Sequence, residues 1–260
     1  MGIINVTPDS FSGDGLGCDV DAAVAQGVRF VDEGADLIDV GGASTRPGFS
    51  ATPIEVEAGR VLPVIERMVR EALAPVSIDT AHAVIADRAI ACGAVMVNDI
   101  HGLRGDPAMA DLIARHGVAC VLMHNQRGRE FQDVVGDILA GWGETLSIAS
   151  KAGIREERII LDPGFGFGWT EAQNLEMLRR LAELRASGYP LLVGTSRKST
   201  IGRALGGLPV DQRLEGTAAS IAIAVANGAD VVRVHDVREM VRAARVADAI
   251  VRPGNAGFLD

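Results

Sequence analysis

Short apolar runs alternate with longer amphipathic stretches along this chain, and each apolar run ends in polar residues. The apolar runs read as strands buried on both faces. They are Gly2 to Ile4, ending at Asn5; Leu37 to Val40, ending at Gly41-Gly42; and Val76 to Ile78, ending at Asp79-Thr80. Val95 to Val97 ends at Asn98-Asp99, Val118 to Met123 at His124-Asn125, and Ile159 to Leu161 at Asp162. Leu191 to Val193 runs into Gly194-Thr195-Ser196-Arg197-Lys198, and Val231-Val232 into Arg233-Val234-His235. Helical periodicity fills the gaps, roughly over 20–34, 54–73, 82–92, 106–116, 134–152, 171–187, 212–227 and 236–251. Strand–helix alternation implies a parallel sheet with right-handed crossovers. Eight such units in 260 residues predict an α/β fold closed as a (β/α)8 barrel, with all the polar strand ends on one rim.

Composition adjusts this picture little. No Ser/Pro/Gly-rich linker or compositional break divides the chain, so residues 1–260 are expected to form one domain. A net charge of −9 leaves no broad basic surface for nucleic acid, though a local basic pocket could still hold a small anion. Cys18, Cys92 and Cys120 never form a CxxC pair, which predicts reduced thiols in a cytoplasmic protein rather than disulfides or zinc. No run is long enough for a membrane span and no basic-then-apolar leader opens the chain. The chain starts directly in a strand-like run, as though a short N-terminal extension preceded it.

Charge at the end of a buried strand is costly unless a partner satisfies it. Asp162 follows three apolar residues and precedes Pro163 and the glycines 164, 166 and 168. It is expected to accept hydrogen bonds from a ligand, with capping of the next turn as the plainer alternative. Asp79 and Asn98 add a carboxylate and an amide at two further strand ends, a set suited to a guanidine-like N–H edge. Asp79 also suits a helix N-cap, and Asp99 is the better candidate for a purely structural cap. Arg197, Lys198, Arg233 and His235 gather cations after strands 7 and 8, the usual phosphate site of such a barrel. Asn5 is a neutral oxygen ligand of the kind Mg²⁺ accepts while keeping most of its waters. The GGASTRPG stretch at 41–48 reads as a loop able to donate to an oxyanion, or as a plain surface turn. His124 has no second His or Cys at ligand spacing, so a hydrogen-bonded histidine is expected there rather than a metal ligand. The three glycines follow the sixth strand and not the first, so they do not form a dinucleotide fingerprint.

MGIINVTPDSFS, DVGGASTRPG, SIDT, VNDI, LMHN, LDPGFGFG, GTSRKS, EGT and VRVHD occur in one order over residues 1–236. Together they resemble the dihydropteroate synthases, pterin-binding TIM-barrel enzymes of folate biosynthesis. The resemblance implies a transferase that joins a dihydropterin-methyl diphosphate to 4-aminobenzoate and releases diphosphate by a dissociative substitution. It implies that Asp79, Asn98, Asp162 and Lys198 hold the pterin, with Met123, Phe167 and Gly194 lining the pocket and Arg233 stacking on the ring. Arg233, His235, Arg46 and Asn5 with Mg²⁺ would hold the diphosphate, and Asn5, Lys198, Arg233 and His235 would carry the catalysis. Phe11, Thr45, Arg46, Pro47, Lys198 and Ser199 would shape the 4-aminobenzoate site. A homodimer through outer helices near the C-terminus is also implied.

One position departs from the family pattern: Gly13-Asp14-Gly15 stand where Asp-Gly-Gly is usual, which displaces the acid of the first loop by one residue. That departure keeps a non-catalytic pterin-binding paralogue as an alternative. A methyltetrahydrofolate methyltransferase on the same fold would share Asp79, Asn98 and Asp162 but would have no need of STRPG, SRKS or RVH.

Overall fold

The computed structural model describes residues 1–7, 19–43, 52–71 and 74–252. Strands β1 (Gly2–Asn5), β2 (Ile38–Gly41), β3 (Val76–Asp79), β4 (Met96–Asp99), β5 (Ala119–Met123) and β6 (Ile159–Asp162) pair in sequence order as one parallel sheet. Strands β7 (Leu192–Val193) and β8 (Val231–Val232) pair with each other. Bridges from Leu161 to Leu191 and from Gly2 to Val234 join these two sheets at both edges. Backbone bonds cross both seams, from Leu161 N to Pro190 O at 2.9 Å and from Ile3 N to Val234 O at 2.9 Å. The eight strands thus form the (β/α)8 barrel that the alternation predicts.

Helices α1 (Val20–Asp32), α2 (Ile54–Arg70), α3 (Ala83–Ala91), α4 (Met109–His116) and α5 (Val134–Ala152) follow the first five strands. Then come α6 (Glu171–Arg179), α7 (Leu181–Arg185), α8 (Ser199–Ala204), α9 (Leu214–Ala226) and α10 (Val237–Val251). The single helix expected over 171–187 is in fact two, broken at Arg180, whose φ of −100° and ψ of 12° leave the helical region. Arg180 there bonds Glu176 and Glu183 of its own segment and Asp133 at the start of α5. Helix α8 was not expected from the apolar pattern, because its six residues span too few turns to show a period.

Among the described residues two apolar clusters result. The larger lies between the strands and the helices, and includes Ile4, Val40, Ile78, Val97, Leu122 and Leu161. The smaller fills the barrel, with Met1, Met96, Val121 and Leu192 packed against Leu37, Ala119, Ile160 and Val231. Alternate residues of a strand face opposite sides, so β4 to β8 feed both clusters, whereas β2 and β3 put Asp39 and Ser77 at the inward positions.

Candidate functional site

Register decides which residues meet above the barrel core. Asn5 pairs with Gly41, Gly41 with Asp79 and Asp79 with Asn98, one row across four strands. Met123 pairs with Asp162 on the next strands. Asp39 pairs with Ser77 one layer deeper on the same face, because it lies two residues before Gly41.

Asp39 is fully buried, and its Oδ2 accepts two side-chain bonds. Arg233 Nε donates at 2.6 Å and Asn98 Nδ2 at 2.9 Å. The other end of the same guanidinium reaches Asp79, Nη2 to Oδ2 at 2.7 Å. Arg233 therefore spans two carboxylates from different strands. Burial, followed in weight by the opposing pull of Arg233 and then by the charges of Asp39, Glu57 and Asp99, leaves the Asp79 carboxyl raised to about 7. The guanidinium lowers that value, yet burial among like charges outweighs it. Behind Asp79, the buried Glu57 accepts from Thr80 Oγ1 at 2.6 Å, and burial raises its carboxyl as well.

On the opposite wall the main chain does most of the holding. Gly164 N donates to Asp162 Oδ1 at 2.7 Å, and burial raises this carboxyl against the pull of Lys198. Lys198 Nζ donates to Phe165 O and lies 4.8 Å from the centroid of the Phe167 ring. Burial lowers the Lys198 ammonium to about 8, with Asp162 pulling the other way. The Arg127 guanidinium also lies over Phe167, at 4.7 Å. Gly164, with φ of +77°, sits so close to the end of the neighbouring strand β5 that a Cβ would stand 1.9 Å from His124 O. Glycine is needed there for conformation and for space. Gly166 N donates to Asn174 Oδ1 at 2.6 Å. The amides of Gly164, Gly166 and Phe167 are thus all bonded within the protein.

The structure brings Asn5, Asp79, Asn98, Met123, Asp162, Phe167, Gly194, Lys198, Arg233 and His235 to the rim or just past it. Gly194 abuts Arg233, whose Cβ would lie 3.7 Å from a Cβ at Gly194. Ser199 opens α8 and is exposed. His235 N and Nδ1 approach Ser196 Oγ at 3.2 and 2.9 Å. Arg197, grouped with the cations on sequence, instead pairs with Asp236, its Nε donating at 2.9 Å. Asp79 does not cap α3, whose N-cap residue His82 makes no side-chain cap bond, although Thr80 Oγ1 accepts from His82 N at 3.2 Å. Asp99 takes the structural role expected of it, accepting from His101 N and Leu103 N at 2.8 and 2.7 Å. His124 bonds Gln126 through Nε2 at 2.8 Å, and burial lowers its ring to about 4, so it is neutral near pH 7. Phe11, Thr45, Arg46 and Pro47 lie outside the described residues, as do Cys18 and the displaced acid Asp14.

Asp39 and Asn174 shape the site without a role that the sequence assigns to them. Asp39 carried a signal, a lone charge within an apolar strand two residues before its polar end. Asn174 carried none, because it lies inside a helix, yet its buried amide also donates to Thr200 Oγ1 at 3.1 Å.

Residues 1–235 match the family described as pterin binding enzyme. The dihydropteroate synthase of Clostridium beijerinckii is 49% identical over 253 residues, covering 97% of this chain and 94% of that one. The fold superposes on the dihydropteroate synthase of Clostridium difficile solved in the presence of pteroic acid, with a TM-score of 0.91 and 47% identity over 97% of this chain and 96% of that one. The Xanthomonas albilineans dihydropteroate synthase solved with 4-aminobenzoic acid gives a TM-score of 0.90 and 44% identity, over 97% and 92% of the two chains. Similarity of this extent, on a barrel whose rim carries the expected carboxylates, amide and cations, means that the chain belongs to the pterin-binding enzymes and, among them, to the dihydropteroate synthase family.

Proposed function

We propose that the chain is a dihydropteroate synthase, a transferase that condenses (7,8-dihydropterin-6-yl)methyl diphosphate with 4-aminobenzoate to give 7,8-dihydropteroate and diphosphate. The observation that carries this reading is the placement of Asp79, Asn98 and Asp162 on one barrel rim with Arg233 and Lys198 between them. A 2-aminopyrimidinone edge presents adjacent N–H donors, and paired carboxylate oxygens match them. A relative solved with 4-aminobenzoic acid supports that substrate, and one solved in the presence of pteroic acid supports a product that joins it to a pterin.

In this reading Asp162, Asp79 and Asn98 hold the pterin edge, Met123, Phe167 and Gly194 shape the pocket, and Arg233 lies on the ring. The bond from the pterin methylene to oxygen breaks with its electron pair going to diphosphate, leaving a cation-like methylene. The arylamine nitrogen then attacks that carbon and loses a proton. Arg233, His235, Arg46 and Asn5 surround the departing charge, which is where preorganised donors lower a barrier most. Phe11, Thr45, Arg46, Pro47, Lys198 and Ser199 complete the 4-aminobenzoate site. Closed loops would keep out the water that competes for the methylene.

A Mg²⁺ ion fits the donor chemistry at Asn5. Among the described residues no three His, Cys, Asp or Glu cluster to form an all-protein cage. One amide oxygen beside a diphosphate suits an ion that keeps several waters. Bound there, it would neutralise charge on the leaving diphosphate.

Helices α9 and α10 leave an apolar face in solvent, with Ile223 at 49%, Val246 at 62% and Ile250 at 74% exposure. Such a patch supports pairing of two chains through it, as a homodimer. Free thiols at Cys92 and Cys120 fit a cytoplasmic location, and no described helix is long and apolar enough to cross a membrane.

Purified protein with Mg²⁺, the pterin diphosphate and 4-aminobenzoate should release diphosphate and form dihydropteroate in equal amounts. Pterin binding without diphosphate release would favour the non-catalytic paralogue, and methyl transfer from methyltetrahydrofolate would favour the methyltransferase.

A further inference from the structure

Asp39 has no place among the ligand-holding groups above, yet among the described residues it is the most completely buried charge near them. Its Oδ2 takes both the Arg233 Nε–H and the Asn98 amide, while its Oδ1 has no hydrogen-bond partner among the described residues. Leaving a carboxylate oxygen unpaired inside a protein is unfavourable, so retaining it there calls for a compensating role.

The geometry of Arg233 supplies one. A guanidinium and a carboxylate prefer a two-pronged pairing in which parallel N–H groups meet both oxygens. Arg233 does not pair with Asp79 in this way: it gives Asp79 a single bond from Nη2 and gives its Nε to Asp39. Divided between two strands, the guanidinium leaves Asp79 Oδ1 without a guanidinium bond. We infer that Asp39 is a positioning residue that holds Arg233 and Asn98 in place and prevents Arg233 from closing over Asp79, so that Asp79 keeps an acceptor edge for the pterin. The inference rests on the dihydropteroate synthase reading for its substrate. Removing Asp39 would let Arg233 swing onto Asp79 with both prongs and would free the Asn98 amide to turn. Arg233 and Asn98 would then both start from the wrong place when a pterin arrives.

The test uses Asp39→Asn in the full chain, a change that preserves shape and removes charge. The KM for the pterin diphosphate should rise about tenfold to a hundredfold, the factor that accompanies loss of a charge-assisted hydrogen bond. The KM for 4-aminobenzoate should stay within about twofold, since that substrate does not meet Asp79. The acid limb of kcat/KM should also move to lower pH. Asp79 is faced by Arg233, Asp39, Glu57 and Asp99, and loss of one like charge, together with a tighter Arg233 pair, favours its ionised form. A role confined to stability would lower the active fraction and leave both KM values and the limb in place, and that result would overturn the inference.

A second measurement needs no variant. In ¹⁵N-labelled wild-type protein the Arg233 Nε–H should remain protected from exchange when a pterin is added, because its bond to Asp39 persists. Loss of that protection on binding would also overturn the inference. Wild-type protein that binds pterin but forms no dihydropteroate would remove the enzymatic reading, while this exchange measurement would still decide the role of Asp39.

Discussion

The two walls of the site hold their charges by different means. On the wall built from β2, β3, β4 and β8, side chains hold side chains: Asp39, Asp79, Asn98 and Arg233 form one network across four strands. On the wall after β6 and β7, backbone holds side chains: Gly164 N meets Asp162 and Phe165 O meets Lys198. A network of side chains fails when any member is lost, since each loss strands a buried partner. A side chain held by main chain can change while its holder stays in place. The first wall should therefore couple binding to folding, and the second should separate them.

The largest effect is expected from Arg233→Met. It leaves Asp39 and Asp79 buried without their cation, at a cost of about 3–5 kcal/mol of stability by analogy with broken buried pairs. Denaturant unfolding would measure it, and a loss under about 1 kcal/mol would mean that the first wall is not a network in the energetic sense. Asp162→Asn should behave in the opposite way. Burial already disfavours its charged form, so removing the charge should leave the melting temperature unchanged or higher. Pterin affinity should nevertheless fall about tenfold or more, because half of the paired acceptor becomes a donor. A titration that finds wild-type affinity would remove Asp162 from the pterin site.

A further effect is read as a slope with pH. The Asp79 carboxyl is raised from about 3.8 in an unfolded chain to about 7 in the fold. The folded protein then holds a proton that the unfolded chain has released, so this stability is fully present below pH 3.8 and is lost as pH rises towards 7. Asp79→Asn should flatten the fall in melting temperature across that window. An unchanged slope would assign the effect to other groups.

Strand positions were legible because buried parallel strands must be apolar and must end where the chain reaches solvent or ligand. All eight strands fall within a residue or two of the apolar runs, and Asn5, Asp79, Asn98 and Asp162 stand at or beside their ends as the pattern requires. Partnership was less legible. The cluster of Arg197, Lys198, Arg233 and His235 read as four cations awaiting phosphate, but Arg197 pairs with Asp236 and Arg233 with two carboxylates. Which charge meets which depends on register between strands far apart in sequence, and no local pattern encodes it. The break at Arg180 was hidden for a related reason: the residues that draw its guanidinium aside include Asp133, from the start of another helix.

Asn174 bears on how this barrel can be rebuilt. Its amide accepts from Gly166 in the loop after β6 and donates to Thr200 in the segment after β7. Those two segments are therefore one module, joined through a residue that belongs to neither. A graft that replaced the glycine-rich loop alone would leave a buried amide without its partner, at a cost of about 1–3 kcal/mol before any new contact formed. Loop exchange between barrels of this kind should move residues 163–174 and 194–200 together.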